Sequence, residues 1–206
     1  MKTAILNALR PIDAQLERYL ARAGLLHYAF YENLFVRKIK RTDDRTHSPF
    51  LMSNIPIGPV AYAALGTSAV HVAGTLYVSE IYVPRTKLVT GIGVLNGVTV
   101  GTDNLIVALY NATGVRLAHS ALAGVVSAGA NAFQQIPFTR PLDLDSDEKY
   151  HIVLQCNGVT ATTRRIAAST YLNRASTIAG SFGTIPGAIA VPATIVADAG
   201  PIAYLY

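Results

Sequence analysis

The sequence predicts a mainly β protein: an antiparallel, jelly-roll-like β-sandwich preceded by an N-terminal helical arm and an extended linker. Three observations predict it. Beyond about residue 65 the apolar residues recur with period two or in short runs rich in Val, Ile, Thr and Tyr, and turn residues separate them. Residues 1–41 instead carry apolar positions at helical spacing. Residues 42–64 contain the proline-rich, aperiodic stretch "TDDRTHSPFLMSNIPIGP".

In the arm, Ile5, Leu9, Ile12, Leu16, Tyr19, Ala23, Leu26 and Phe30 alternate steps of four and three, which keeps them on one narrow stripe of a helix. Pro11 is tolerated at a first helical turn and not inside one, so the main helix is expected from Pro11 to Ala23, with Gly24 as its C-terminal cap. Such a stripe packs on its own domain or forms an oligomer seam, and the sequence leaves both open. The arm is also where the charge lies. Residues 1–50 hold nine Lys/Arg against five Asp/Glu, and the remainder holds eight against seven, so the net +5 divides into +4 and +1. The densest basic patch is Arg37, Lys38, Lys40 and Arg41, followed at once by Asp43 and Asp44. Without interleaved aromatics it reads as a solvated or protein-facing charged face, and nucleic acid is not an expected partner.

The strand candidates are "GTLYVSEIYVP", "KLVTGIGVLNG", "NLIVALYN", "NAFQQIPFT", "KYHIVLQCNG", "TRRIAASTYL" and "GPIAYLY". Asn96-Gly97 and Asn157-Gly158 are expected to supply the positive φ of tight reversals, and "NATG" at Asn111 to Gly114 a longer hairpin. Gly91 and Gly93 are expected at a bend or bulge. The glycine-rich stretch Thr90 to Gly114 lacks both the following helix and the lysine of a phosphate loop.

Little in the chain converges on chemistry. Asp143, Asp145, Asp147 and Glu148 lack the glycine and distant glutamate of an EF-hand loop and read as a solvated turn. The histidines His27, His47, His71, His119 and His151 have no metal-ligand spacing. Cys156, the single cysteine, excludes an intrachain disulfide and reads as a small buried hydrophobe. No cofactor, no metal and no catalytic residue are therefore expected. No apolar run reaches the roughly 18 residues of a membrane span, and the N-terminus shows no secretory pattern.

The succession from "LYVSEIYVPRTKLVTGIGVLNG" through "NAFQQIPFTRPLDLDSDEKYHIVLQCNG" to "GPIAYLY" resembles β-sandwich domains of tailed-bacteriophage structural proteins, of the head-decoration or head- and tail-fibre type. The resemblance covers roughly residues 65–206. It implies a non-enzymatic virion protein, assembled in the host cytoplasm as a homotrimer, with the major capsid protein or another virion protein as partner. Its capsid attachment or oligomer face would be Ile5, Leu9, Ile12, Leu16 and Tyr19, with Arg37, Lys38, Lys40 and Arg41 beside it. The alternative is a carbohydrate-binding adhesion module that engages a host glycan through Tyr62, Tyr77, Tyr82, Tyr110 and Tyr171, although tryptophan is absent.

Overall fold

The computed structural model describes residues 52–55, 61–167 and 174–206; all lie within one compact unit that begins at Ser48. The predicted helical arm, with Ile5, Leu9, Ile12, Leu16, Tyr19, Arg37, Lys38, Lys40 and Arg41, lies outside them.

Among the described residues the protein is mainly β, and its strands pair antiparallel. They are β1 (Thr67–Val70), β2 (Leu76–Val83), β3 (Lys87–Leu95), β4 (Asn104–Tyr110), β5 (Arg116–His119), β6 (Val125–Val126), β7 (Phe133–Leu144), β8 (Glu148–Cys156), β9 (Thr162–Arg165), β10 (Ala175–Ile178) and β11 (Ala203–Leu205). A large sheet runs β10-β2-β8-β4-β5, with β6 also paired to β4; a small sheet runs β11-β3-β7; β1 and β9 form a separate ribbon. The pairing is nested in sequence. β2 pairs with β8, β3 with β7, and β4 with β6.

Period-two alternation puts one side of each strand between the sheets. Ile81 and Val83, Leu105, Val107 and Leu109, and Ile152 and Leu154 from the large sheet meet Ile92, Val94, Ile136 and Leu205 from the small one in a continuous core. Each such side chain contributes roughly 1.5–3 kcal/mol by leaving water. The strand β4, "NLIVALY", has no polar alternation because its other side is covered too. Ile106, Ala108 and Tyr110 pack with Leu76, Val78 and Val153 under Ile185 and Ile189. The cover is fastened by polar groups: the buried Gln155 side chain donates to the Gly74 and Ser181 carbonyls at 2.7 and 3.0 Å, and the Tyr110 hydroxyl donates to the Pro186 carbonyl at 2.7 Å.

Part of the segment read as an extended linker is built into the sandwich. Met52 and Ile55 are buried, and residues 52–54 run beside β11, with Asn54 N–H donating to the Ala203 carbonyl at 3.0 Å. Residues Tyr62–Ala64 form a short 3-10 turn.

The glycines divide differently from the sequence reading. Gly101 and Gly114 take positive φ, the latter closing a hairpin in which the Asn111 side chain accepts from Thr113 and Val115 N–H groups. Gly97 and Gly158 do not take positive φ. They are needed for close approach: a Cβ at Gly97 would meet Ser68 and Thr162, and one at Gly158 the Asp103 carboxylate. A bulge falls between Val89 and Gly91, as the glycine pattern suggested.

Candidate functional site

One end of the sandwich gathers the turn after β1, the β3–β4 and β8–β9 connections, and the loop before β7. Beneath their surface lies a buried polar cluster. The Asp103 carboxylate accepts from Thr160 and Ala161 N–H at 2.8 and 2.7 Å, fastening the β8–β9 loop. Burial works against that charge, but the N–H groups of Ala161 and Thr160, the Thr102 hydroxyl and His71 outweigh it and hold the acid below its ordinary pKa. Beside it Arg165 lies with its guanidinium carbon 3.9 Å from the Tyr77 ring centroid, and donates to the Val70 carbonyl at 2.6 Å and to the Asp198 carbonyl at 3.2 Å.

Arg165 also fixes the state of His71. Its Nη2 lies 3.2 Å from His71 Nδ1. A guanidinium can only donate, so Nδ1 accepts and the imidazole proton sits on Nε2. Burial, and then the Arg165 charge, push the His71 pKa down to about 3, with Asp103 opposing. Cysteine, histidine and aspartate close together are the inventory of an activated thiol, but the electrostatics here run the other way. Burial first, and then Asp103, raise the Cys156 thiol to about 11. A thiol kept protonated and an imidazole kept neutral, both sealed from solvent, supply no nucleophile at neutral pH. Among the described residues no three His, Cys, Asp or Glu side chains converge to hold a metal ion. The cluster's evident work is to hold the loops.

A second feature lies on the outer face of the small sheet. Tyr62 and Phe133 meet edge to face with ring centroids 5.1 Å apart, Phe133 and Tyr204 likewise at 5.0 Å, and Tyr204 and Tyr206 follow at 6.2 Å. Tyr204 pairs across from Gly93. A Cβ at Gly93 would overlap the Tyr204 ring, and one at Gly91 the Tyr206 ring, so both rings lie on bare backbone. Gln135 donates to the Tyr204 hydroxyl at 3.1 Å. Tyr204 is buried, whereas Tyr62, Phe133 and Tyr206 are half-buried and present part of their apolar surface.

Of the tyrosines singled out by sequence, only Tyr62 belongs to this row. Tyr77 is buried under Arg165, and Tyr110 is buried with its pKa pushed up to about 12 by burial. Tyr82 is exposed and donates to Asp147 Oδ1 at 2.7 Å, and Tyr171 lies outside the described residues. The complementary phrases "GIG" (91–93) and "YLY" (204–206) were the signal for the row: two glycines and two tyrosines, each pair spaced to share one side of a strand.

No protein-family model matches the chain, and no curated protein matches it.

Proposed function

We propose that the chain is a non-enzymatic structural protein of a tailed-bacteriophage virion, a capsid-decoration or head-fibre subunit. The observation that carries the reading is the nested pairing of β2 with β8, β3 with β7 and β4 with β6 around one core. We read this winding as jelly-roll-like, and the fold's known uses in virus shells supply the functional step by analogy. The placement of its titratable groups supports it, since Asp103, His71, Arg165 and Cys156 are sealed inside and Asp103 and Arg165 are engaged in holding loops. In this reading the apolar stripe Ile5, Leu9, Ile12, Leu16 and Tyr19 seats the protein, as a trimer, on the major capsid protein. Arg37, Lys38, Lys40 and Arg41 face an acidic patch of the shell.

Cosedimentation of the full-length protein with shells that lack it tests this reading. Leu9→Asp with Leu16→Asp should weaken binding at least about tenfold, the equivalent of 1.4 kcal/mol. Unchanged binding of a folded variant would remove the arm's role, and electron microscopy of the intact particle would locate the protein directly.

The row Tyr62, Phe133, Tyr204 and Tyr206, with the exposed Gln135 beside it, favours a second reading as a host-glycan adhesion module. Half-buried rings offer apolar faces for sugar C–H groups, and the amide offers hydrogen bonds. A glycan array with native protein and Tyr206→Ala decides it: selective binding lost in the variant supports adhesion, and an empty array removes it.

A further inference from the structure

Among the described residues, the end of the sandwich that covers the Asp103 cluster carries no exposed charge; Arg164, which donates to Asn131 Oδ1 at 2.7 Å, is itself buried. Residues 66–75, 96–103, 120–132 and 157–163 contain no Lys, Arg or Glu, and their only titratable residues are His71 and Asp103. Both are buried, at 1% and 6% exposure. Backbone contacts bring these segments together: Gly97 N–H donates to the Thr162 carbonyl at 2.8 Å, Asn131 N–H to the Gly97 carbonyl at 2.8 Å, and Ser127 N–H to the Asp103 carbonyl at 2.9 Å.

This end presents exposed valines among the uncharged polar side chains of Thr67, Thr99, Thr102, Asn157 and Thr160. Val70, Val72, Val98 and Val159 are each between 55% and 62% exposed, and Val126 beside them is 51% exposed. Single exposed valines need no explanation, but a group of them on loops fixed from beneath is what an interaction surface requires. Loop order matters here because a mobile tip would pay its ordering entropy on contact. Asp103, Arg165 and Asn96, whose Nδ2 donates to the Ala128 carbonyl at 2.6 Å, remove that cost beforehand. The ribbon strand β1 adds an edge. Among the described residues it pairs with β9 alone, and its sequence "TSAV" carries none of the charge or proline with which such edges are commonly protected.

We propose that this uncharged end is a self-association surface whose occupant is a second copy of the chain, tip against tip about a twofold axis. Charge chooses the occupant. A charged partner surface would lose its hydration here and find no counter-charge, so the partner must be uncharged as well. The same end of another copy meets that condition and is self-complementary by symmetry. It also leaves the opposite end, where eight charged residues fall within residues 84–87 and 140–149, fully in water. The proposed contact uses no residue of the arm, and its salt response differs: tip contacts persist in about 1 M NaCl, whereas an arm held by Arg37, Lys38, Lys40 and Arg41 weakens.

Light scattering and sedimentation of the full chain test the proposal. At roughly 100 µM the native protein should show twice the stoichiometry of a Val98→Asp/Val159→Asp variant, in low and in high salt. Both positions are exposed, so the variant should keep the native near-ultraviolet circular dichroism. Leu88→Asp, equally exposed at 54% but set at the charged end, should leave the stoichiometry alone. Three results would overturn the proposal: a native protein that is monomeric at this concentration, equal stoichiometry in native and double-variant protein, or dissociation by Leu88→Asp as well. An arm-built trimer that the tip substitutions leave unchanged would overturn the tip contact and leave the arm reading standing.

Discussion

The two ends of the sandwich solve opposite problems. At one, around the β3–β4 and β8–β9 loops, polar groups are inside and apolar groups outside: Asp103, His71 and Arg165 are buried while Val98 and Val159 face water. At the other, around residues 84–87 and 140–149, the order is the usual one. Asp143, Asp145, Asp147 and Glu148 are exposed, and the hydrogen bond from Tyr82 to Asp147 and the 3.6 Å contact of Lys149 with Glu80 lie at or near the surface. Both ends join strands of the same sheets, so strand geometry does not set the difference. It lies in where the charged groups go: at the first end buried side chains such as Asp103 hold the loop backbone, whereas at the second Asp147 N–H donates to the Val83 carbonyl and Asp145 N–H to the Tyr150 hydroxyl while the carboxylates stay exposed.

That contrast predicts very unequal sensitivity to substitution. Asp103→Ala should be the most damaging, since it leaves Thr160 and Ala161 N–H groups buried without their acceptor; a loss of about 3 kcal/mol in urea unfolding is expected. A loss under about 1 kcal/mol would mean that water reaches those amides. Gly158→Ala, which drives a methyl group against the Asp103 carboxylate, should cost about 2 kcal/mol by the same measurement.

Acid should attack the uncharged end first. His71 has a folded pKa of about 3, far below its ordinary value, so between about 6.5 and 3 the unfolded chain binds more protons and stability falls as pH falls. Asp103, held below its ordinary value, keeps its contribution above that value and loses it as pH drops through the folded pKa. Arg165, Asp103 and Tyr77 surround the imidazole. Replacing His71→Gln should therefore reduce the slope of stability against pH by up to about 1.4 kcal/mol per unit in that window. An unchanged slope would place the acid sensitivity elsewhere, with His151, also lowered by burial, the next group to replace. Least affected should be Tyr82→Phe at the charged end, where loss of an exposed hydrogen bond should leave the urea midpoint unchanged.

Much of the fold was legible because alternation and turn residues are local signals. The phrases containing Leu76–Val83, Lys87–Leu95 and Asn104–Tyr110 each became one strand, and "KYHIVLQCNG" did so with Glu148 added at its start. Thr67–Val70, Arg116–His119 and Ala175–Ile178 were not foreseen; each is four residues long, too short for a period to register. Among the described residues of "TRRIAASTYL", the first three belong to the strand Thr162–Arg165, and Ile166 joins a separate apolar cluster with Ile55 and Ile202. The Asn-Gly pairs misled because the same dipeptide serves two needs, a positive φ or a missing Cβ, and only the neighbours decide which. Asp103 and Arg165 carried no local mark of burial; their partners are 57 and 95 residues away in sequence. The aromatic row was written in the chain as "GIG" and "YLY", but reading it requires knowing that the two phrases are neighbours.

The strand β4 sets a condition on how the molecule is made. Leu105 to Tyr110 are apolar in succession, and they become safe only when the small sheet closes over one side and residues 178–189 settle on the other. Both covers come from distant parts of the chain, so the loops that bring them must close first, and sandwiches rich in such pairings fold in milliseconds to seconds. Throughout that interval an uncharged, proline-free β-prone segment is open to other chains. Refolding yield should therefore fall steeply as protein concentration rises, even though the finished molecule keeps this strand out of reach on both sides.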